Sequence, residues 1–243
     1  MNVTQRGGMY YSQFGEDELL HDFFHKSRGV CVEVGAHDGV TFSNTLFFEK
    51  LGWDCVLVEP HPRSCSQIRE LRRGRLFECA ASNINGEMLF RLTDGSPELS
   101  TLGSDISLIR RYSAEEIRTV TVQVRTLDSI LEEAGLCNID FISIDVENHE
   151  IQVLEAFSIS RWKPRIVIVE DNSYGLNSVV RQYFRKHSYV PFRMTDCNIW
   201  YANVADNELV KGPWQIQFMA ELGVAWLRRI RRNANKIAAQ LQR

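Results

Sequence analysis

The sequence predicts a doubly wound α/β fold on a parallel sheet, closed by an antiparallel strand pair near its end. Three observations predict it. Short apolar runs rich in β-branched residues recur at Val30–Val34, Cys55–Val58, Leu76–Cys79, Ile139–Ile144 and Arg165–Val169, as suits strands covered on both faces. Stretches of helical periodicity separate most of them, which gives the βαβαβ rhythm of parallel sheets. A glycine-bearing run, Glu33-Val34-Gly35-Ala36-His37-Asp38-Gly39, closes the first strand, and Glu59-Pro60 closes the second.

From the N-terminus, Leu19, Leu20, Phe23 and Phe24 form one apolar helical face behind Ser12-Gln13-Phe14-Gly15-Glu16-Asp17-Glu18. Ser12 is placed to cap this helix, and its acids suit the positive end of the helix dipole. Gln13 and Asp17 lie one turn apart, so a ligand on that side would meet both. After the first strand, Asn44–Leu51 sets Leu46, Phe47, Lys50 and Leu51 at helical spacing. The next helix, Pro62–Arg72, has Pro62 in its first turn, where a missing N–H costs nothing.

Two regions break the rhythm. Residues 83–118 contain Asn85-Gly86, which predicts a hairpin into Met88–Leu92, and then a polar stretch from Thr93 to about Ser107 before a strand at Thr119–Arg125. Such an insertion beside a binding sheet reads either as an acceptor-binding lid or as a plain surface excursion. Tyr189–Met194 and Asn198–Asn203 predict the closing antiparallel pair.

The 243 residues carry 28 basic and 31 acidic side chains for a net charge of −3, enough chain for one substantial core. The reading is one domain over residues 1–213 and a basic amphipathic tail over 214–243. In that tail six basic residues, Arg228, Arg229, Arg231, Arg232, Lys236 and Arg243, stand against one acid, Glu221, among Ile216, Met219, Leu222, Trp226, Leu227 and Ile230. It reads first as a solvated helix on its own domain or a partner protomer, and second as a contact for an anionic membrane or acidic partner. The charge balance argues against nucleic-acid binding. Met1–Met9 has no apolar segment of the secretory kind, so a cytoplasmic location is expected. The six cysteines, Cys31, Cys55, Cys65, Cys79, Cys137 and Cys197, form no C-x-x-C pair. They read as small buried hydrophobes in a reducing compartment.

An acid about 20 residues beyond a glycine turn is how an α/β sheet holds a nucleoside ribose. The dinucleotide pattern G-x-G-x-x-G fails, because its second and third glycine positions hold His37 and Val40. No G-x-x-x-x-G-K-[ST] phosphate loop is present. Glu33 before the turn and Asp38 within it would repel phosphate but suit a cationic amine or sulfonium. S-adenosylmethionine carries both on a nucleoside.

In order along the chain, Ser12-Gln13-x-Gly15-Glu16-Asp17, Val34-Gly35-Ala36-x-Asp38-Gly39, Val58-Glu59-Pro60, Ala80-Ala81-Ser82, Thr126-Leu127-Asp128-Ser129-Ile130-Leu131, Ile144-Asp145-Val146-Glu147-x-x-Glu150 and Val167-Ile168-Val169-Glu170 resemble the FkbM-type methyltransferases. The resemblance implies a seven-stranded, mostly parallel Rossmann-like sheet. It implies O-methylation of a hydroxyl on a sugar, glycan or related polyhydroxylated natural product, with S-adenosylhomocysteine as the second product. It also sets Glu33 and the Gly35–Gly39 turn near the methionine part of the cofactor and Glu59 on its ribose. The chain departs from the family's usual Asp at Glu33 and from its usual Gly at Asn148. Asn tolerates left-handed backbone better than most residues, but its side chain takes up room bordering the acceptor.

The resulting cofactor set is Gln13, Glu33, Gly35, Ala36, His37, Asp38, Gly39, Asn44, Glu59, Pro60, Ala81 and Asp145. Ligands of open α/β sheets sit beyond the carboxyl ends of the strands, so the candidates for removing the acceptor proton are Asp145, His149 and Glu170. His37 reads as shaping the turn, and His61 as bordering the adenine. Glu170 with Asp171, Asn172 and Asp145 has donors that suit Mg²⁺, but a metal-free acidic crevice is the preferred reading. A catalytically silent binding or scaffold protein of the same fold is the alternative, and oligomerisation is open.

Overall fold

The computed structural model describes residues 10–93, 100–102, 117–174, 176, 178–212, 215–224 and 226–227. The chain divides into two compact units between Glu170 and Asp171. In chain order the first unit comprises α1 (Glu16–Phe24), β1 (Val30–Val34), α2 (Leu46–Lys50), β2 (Asp54–Val58), α3 (Pro62–Leu71), β3 (Arg75–Phe77), β4 (Ala80–Ala81), β5 (Gly86–Leu92), β6 (Arg118–Arg125), α4 (Leu127–Glu133), β7 (Phe141–Ile144), α5 (Glu150–Glu155), α6 (Ile159–Trp162) and β8 (Ile166–Glu170). Its main sheet runs β3-β2-β1-β7-β8, with parallel pairing at each step.

The central strand β7 is buried at every position, and β8 at all but its last. That is why these strands read as near-continuous apolar runs. On the flank Phe24, Phe48, Trp53 and Phe141 close an aromatic cluster, with ring centroids 4.7 Å apart for Phe48–Trp53 and 5.0 Å for Phe48–Phe141. Two polar residues interrupt the apolar sheet. Glu33 of β1 and Ser143 of β7 are register partners, so they share a face, and that face leads to the site.

A second sheet has the order β4-β6-β5. Ala80, Phe90, Leu92, Leu102 and Val124 form its core. The expected hairpin at Asn85-Gly86 is corrected here. β5 pairs antiparallel with β6, and Asn85 instead accepts hydrogen bonds from Thr126 N and Ser129 Oγ at the start of α4. Residues 94–99 and 103–116, most of the expected lid, lie outside the described residues. The run Leu76–Cys79 also divides. β3 ends at Phe77 and β4 begins at Ala80, so the chain leaves one sheet for the other within it.

Two helix details differ from expectation. Gly15, in the left-handed conformation, holds the position just before α1, and Ser12 Oγ reaches the first turn from further back, accepting from Asp17 N at 3.2 Å and donating to the Asp17 carboxylate at 2.5 Å. Leu51 is exposed, while Leu46, Phe47 and Phe48 carry the packing of α2.

The second unit contains α7 (Ser178–Lys186), β9 (Tyr189–Thr195), β10 (Asn198–Asn203) and α8 (Asn207–Val210). β9 and β10 pair antiparallel as expected, around a core in which the Phe184 and Tyr201 rings stack at 3.8 Å. Residues 215–224 are helical, with Phe218 buried. Five parallel strands of the first unit and this antiparallel pair are the seven strands of a mostly parallel sheet. Cys31, Cys55, Cys65 and Cys79 are buried free thiols, but Cys137 is exposed and Cys197 half-buried. Cys137 therefore corrects the uniform reading of the cysteines as buried.

Candidate active site

The turn after β1 is built around two glycines. Gly35 has φ +87°, and a Cβ there would lie 1.7 Å from the Asp145 carbonyl oxygen. Only glycine permits this approach between the ends of β1 and β7. The N–H groups of Gly35 and Ala36 both donate to Val58 O, at 2.9 and 3.1 Å, folding the turn over the end of β2. Gly39 has φ +80°, and a side chain there would press on Ile68 and Arg72. Asp38 accepts from Thr41 Oγ1, Val40 N and Thr41 N at 2.7–2.8 Å. Burial raises its pKa, but these bonds outweigh that, so it sits below the ordinary value. The Asp38 carboxylate thus serves the turn itself.

Glu59 follows β2 and is buried. Its two oxygens accept one backbone N–H each, from His61 at 2.8 Å and His37 at 2.9 Å. Burial pushes its carboxyl up to about 8 against those two bonds, because no cation among the described residues offsets its desolvation. His37 reaches Glu59 by taking left-handed backbone, φ +49°.

Glu33 lies beneath the turn in a network that runs through Arg72. Its oxygens accept from Asn44 N (2.6 Å), Ser43 Oγ (2.8 Å) and Thr45 Oγ1 (2.5 Å). The Arg72 side chain is fully buried, 3.7 Å from Glu33. Its Nη1 donates to Gly39 O (2.7 Å) and Ser43 Oγ (3.2 Å), its Nη2 to Thr45 Oγ1 (3.0 Å), and its Nε to Glu49 Oε2 (3.1 Å). One guanidinium therefore ties the glycine turn, the start of α2 and two acids together. Asn44 Nδ2 donates to Ser143 Oγ at 2.8 Å. Its Oδ1 is buried with no hydrogen-bond partner among the described residues.

Acids gather at the ends of β7 and β8. One oxygen each of Asp145, Glu150 and Glu170 lies within 4.8 Å of the other two. Asp145 is open to solvent but crowded by protein, and this desolvation raises its carboxyl to about 6. Its bonds to Glu170 and to the Glu147 backbone oppose the shift, while the charges of Glu33 and Glu16 add to it. Burial brings Glu150 to about 7. Its Oε1 accepts from Val146 N and Asn148 N at 3.2 and 3.1 Å. Between these donors Glu147 and Asn148 have φ +52° and +70°, a strained pair of the kind that clusters at functional sites. Thr101 Oγ1 donates to Glu147 O at 2.6 Å and clamps the same loop.

Residues 33–191 match the family model for the methyltransferase FkbM domain. The chain belongs to the FkbM methyltransferase family. It is similar to the 2-O-methyltransferase NoeI of Sinorhizobium fredii (strain NBRC 101917 / NGR234), with 31% identity over 158 residues, 60% of this chain and 64% of NoeI. The matched region thus spans less than two-thirds of that relative's length. Among solved structures, similarity extends to a ribosomal protein L11 methylase from Lactobacillus delbrueckii subsp. bulgaricus (12% identity, 77% of this chain and 75% of that one, TM-score 0.43). A precorrin-6y C5,15-methyltransferase from Geobacter metallireducens GS-15 is similar at 11% identity (82% of this chain and 92% of that one, TM-score 0.41).

The expected site residues of this FkbM methyltransferase fall into three groups. Asp145 and Glu170 meet at the strand ends, with Glu150 as a third acid. Glu33, Gly35, His37, Asp38, Gly39, Asn44 and Glu59 belong to the bonded shell of the turn. The others stand apart in their described contacts. Gln13 is exposed, and Asp17 is taken by Tyr11 N and by Ser12 N and Oγ. Ala36 packs with Leu57 and Ile68, Pro60 is half-buried, and Ala81 is a β4 residue paired with Arg125. His61 caps α3 through Arg63 N. His149 is buried at the start of α5, with Nε2 2.9 Å from Ser82 Oγ. Burial holds it below the ordinary histidine pKa, against a small opposing effect of Glu155. Asp171, in the second unit, accepts from Ser173 N and Oγ. Glu150 is thus the acid found with Asp145 and Glu170. Sequence reasoning missed Arg72, Ser43, Thr45 and Glu49. The one available signal was Glu33 itself, a charge inside an apolar strand that has to be paired.

Proposed function

We propose that this FkbM methyltransferase uses S-adenosylmethionine to methylate a hydroxyl of a sugar, glycan or related polyhydroxylated acceptor. The observation that carries the reading is the contrast along one row of strand ends. Glu59 is a dry acid at the end of β2, with no cationic partner among the described residues, and an acid cluster stands at the ends of β7 and β8. A nucleoside with a cationic side chain suits both. Spare lone pairs on Glu59 would accept two ribose hydroxyls, and the buried Asn44 Oδ1 would accept from an ammonium. When bound, this cofactor supplies a methyl already activated on a sulfonium.

The chain's own task is then to orient the acceptor and take its proton. Asp145 is the favoured base. With a pKa of about 6 it is ionised at neutral pH yet more basic than an ordinary carboxylate. His149 is neutral there but engaged with Ser82, which favours a positioning role. The acids at the strand ends disfavour phosphorylated or carboxylated acceptors and leave neutral hydroxylated ones. The name 2-O-methyltransferase carried by the relative NoeI supports an oxygen acceptor.

The test is incubation of the purified protein with S-adenosylmethionine and a panel of neutral and anionic sugars and glycans, read as mass gain. The reading expects one methyl on a neutral acceptor and none with Asp145→Asn. Methylation confined to anionic acceptors, or to nitrogen, would overturn it.

A further inference from the structure

The helix at residues 215–224 and the helical residues 226–227 leave an apolar face uncovered in the second unit. At 3.6 residues per turn, Ile216 and Met219 share one side of the helix at 215–224 while Phe218 lies on another, and Val224 and the helical residues Trp226 and Leu227 add apolar surface at its end. Phe218 is buried, whereas Ile216 is 79% and Met219 64% exposed; Val224, Trp226 and Leu227 are exposed as well. The helical stretch is thus anchored at Phe218 and presents Trp, Leu, Ile and Met to solvent. A patch of this kind on a protein surface marks an interaction site.

The chemistry of the occupant follows from the sequence that continues from the patch. Residues 228–243 hold five arginines and one lysine and no acid. A protein partner that buries an apolar helix face does not need so many like charges beside it, and a second copy of this chain would bring six more bases against them. A surface that is apolar within and anionic at its edge satisfies both features. No helix among the described residues is long and apolar enough to cross a membrane, so such contact would lie in the interface plane.

We propose that Ile216, Met219, Trp226 and Leu227 dock this protein on an anionic lipid surface, with the bases of 228–243 holding it to the headgroups. This does not depend on the methyl-transfer reading.

Co-sedimentation of the full chain with phosphatidylcholine vesicles, with and without phosphatidylglycerol, tests it. Binding is expected only to the anionic vesicles and weakens as salt is added. Neutralising Arg228 and Arg229 to Gln is expected to lower the partition coefficient more than tenfold at low salt, since each base near such a surface is worth about fivefold. Met219→Gln with Trp226→Gln abolishes pelleting. An unchanged urea midpoint in each variant shows that the fold is kept. Failure to pellet with anionic vesicles would overturn the proposal, as would equal pelleting with neutral ones. A dimer in the ultracentrifuge that the Met219/Trp226 variant dissolves would assign the patch to self-association and overturn it too.

Discussion

Replacing Arg72 with Met would show whether the glycine turn is held from below. The substitution keeps the buried bulk but removes a guanidinium that donates to Gly39 O at 2.7 Å, Ser43 Oγ at 3.2 Å, Thr45 Oγ1 at 3.0 Å and Glu49 Oε2 at 3.1 Å. It strands Glu33 and Glu49, both nearly buried. Removing one partner of a buried ion pair costs about 3–5 kcal/mol. The lower end applies here, because both acids keep neutral donors: Glu33 from Ser43, Asn44 and Thr45, and Glu49 from the N–H groups of Arg73 and Gly74. The expected loss is about 3 kcal/mol, a large part of the roughly 5–15 kcal/mol that holds a domain together. Urea unfolding measures it as a lower midpoint at unchanged slope. Combining Arg72→Met with Glu49→Gln should cost less than the two singles together by about 1–3 kcal/mol, since one stranded charge is then gone. A loss below about 1 kcal/mol, or strict additivity of the pair, would refute the view that Arg72 organises this region.

Three further outcomes are expected. Gly35→Ala sets a Cβ 1.7 Å from the Asp145 carbonyl oxygen at φ +87°, so a loss above about 4 kcal/mol or failure to fold is expected, and a urea midpoint near wild type would contradict the geometry. With Asp145 as base, kcat climbs as pH rises through about 6, and Asp145→Asn costs about 10²- to 10⁴-fold; a rate flat between pH 5 and 8 would dismiss it. Ser82→Ala removes the partner of His149 and should cost about 1 kcal/mol of stability with kcat unchanged. A hundredfold fall in kcat would instead move His149 into the chemistry.

The parallel sheet was legible because burial on both faces writes itself as apolar runs at β1, β2, β7 and β8. Gly35 and Glu59 were legible because a tight turn and a strand-end acid are local features. Arg72 was not. As the residue after a helix it looks like any solvated base, and only tertiary packing brings it under Gly39, more than thirty residues earlier in the chain. For Glu33 the charge was visible but its partners were not, since Ser43 and Thr45 are small polar residues of a kind found in any loop. His149 and Ser82 lie 67 residues apart, a separation that no spacing rule covers. The role of Asp17 was not legible either, because its buried carboxylate turns back onto Tyr11 and Ser12.

The most direct test of the central claim is calorimetric titration with S-adenosylhomocysteine of the wild-type chain and of Glu59→Gln, with reduced nicotinamide cofactor as control. The account predicts saturable binding of S-adenosylhomocysteine alone. It predicts affinity at least about tenfold weaker in Glu59→Gln, as for two ribose hydrogen bonds worth about 1 kcal/mol each. No binding by the wild type, or equal affinity in the two proteins, would contradict it.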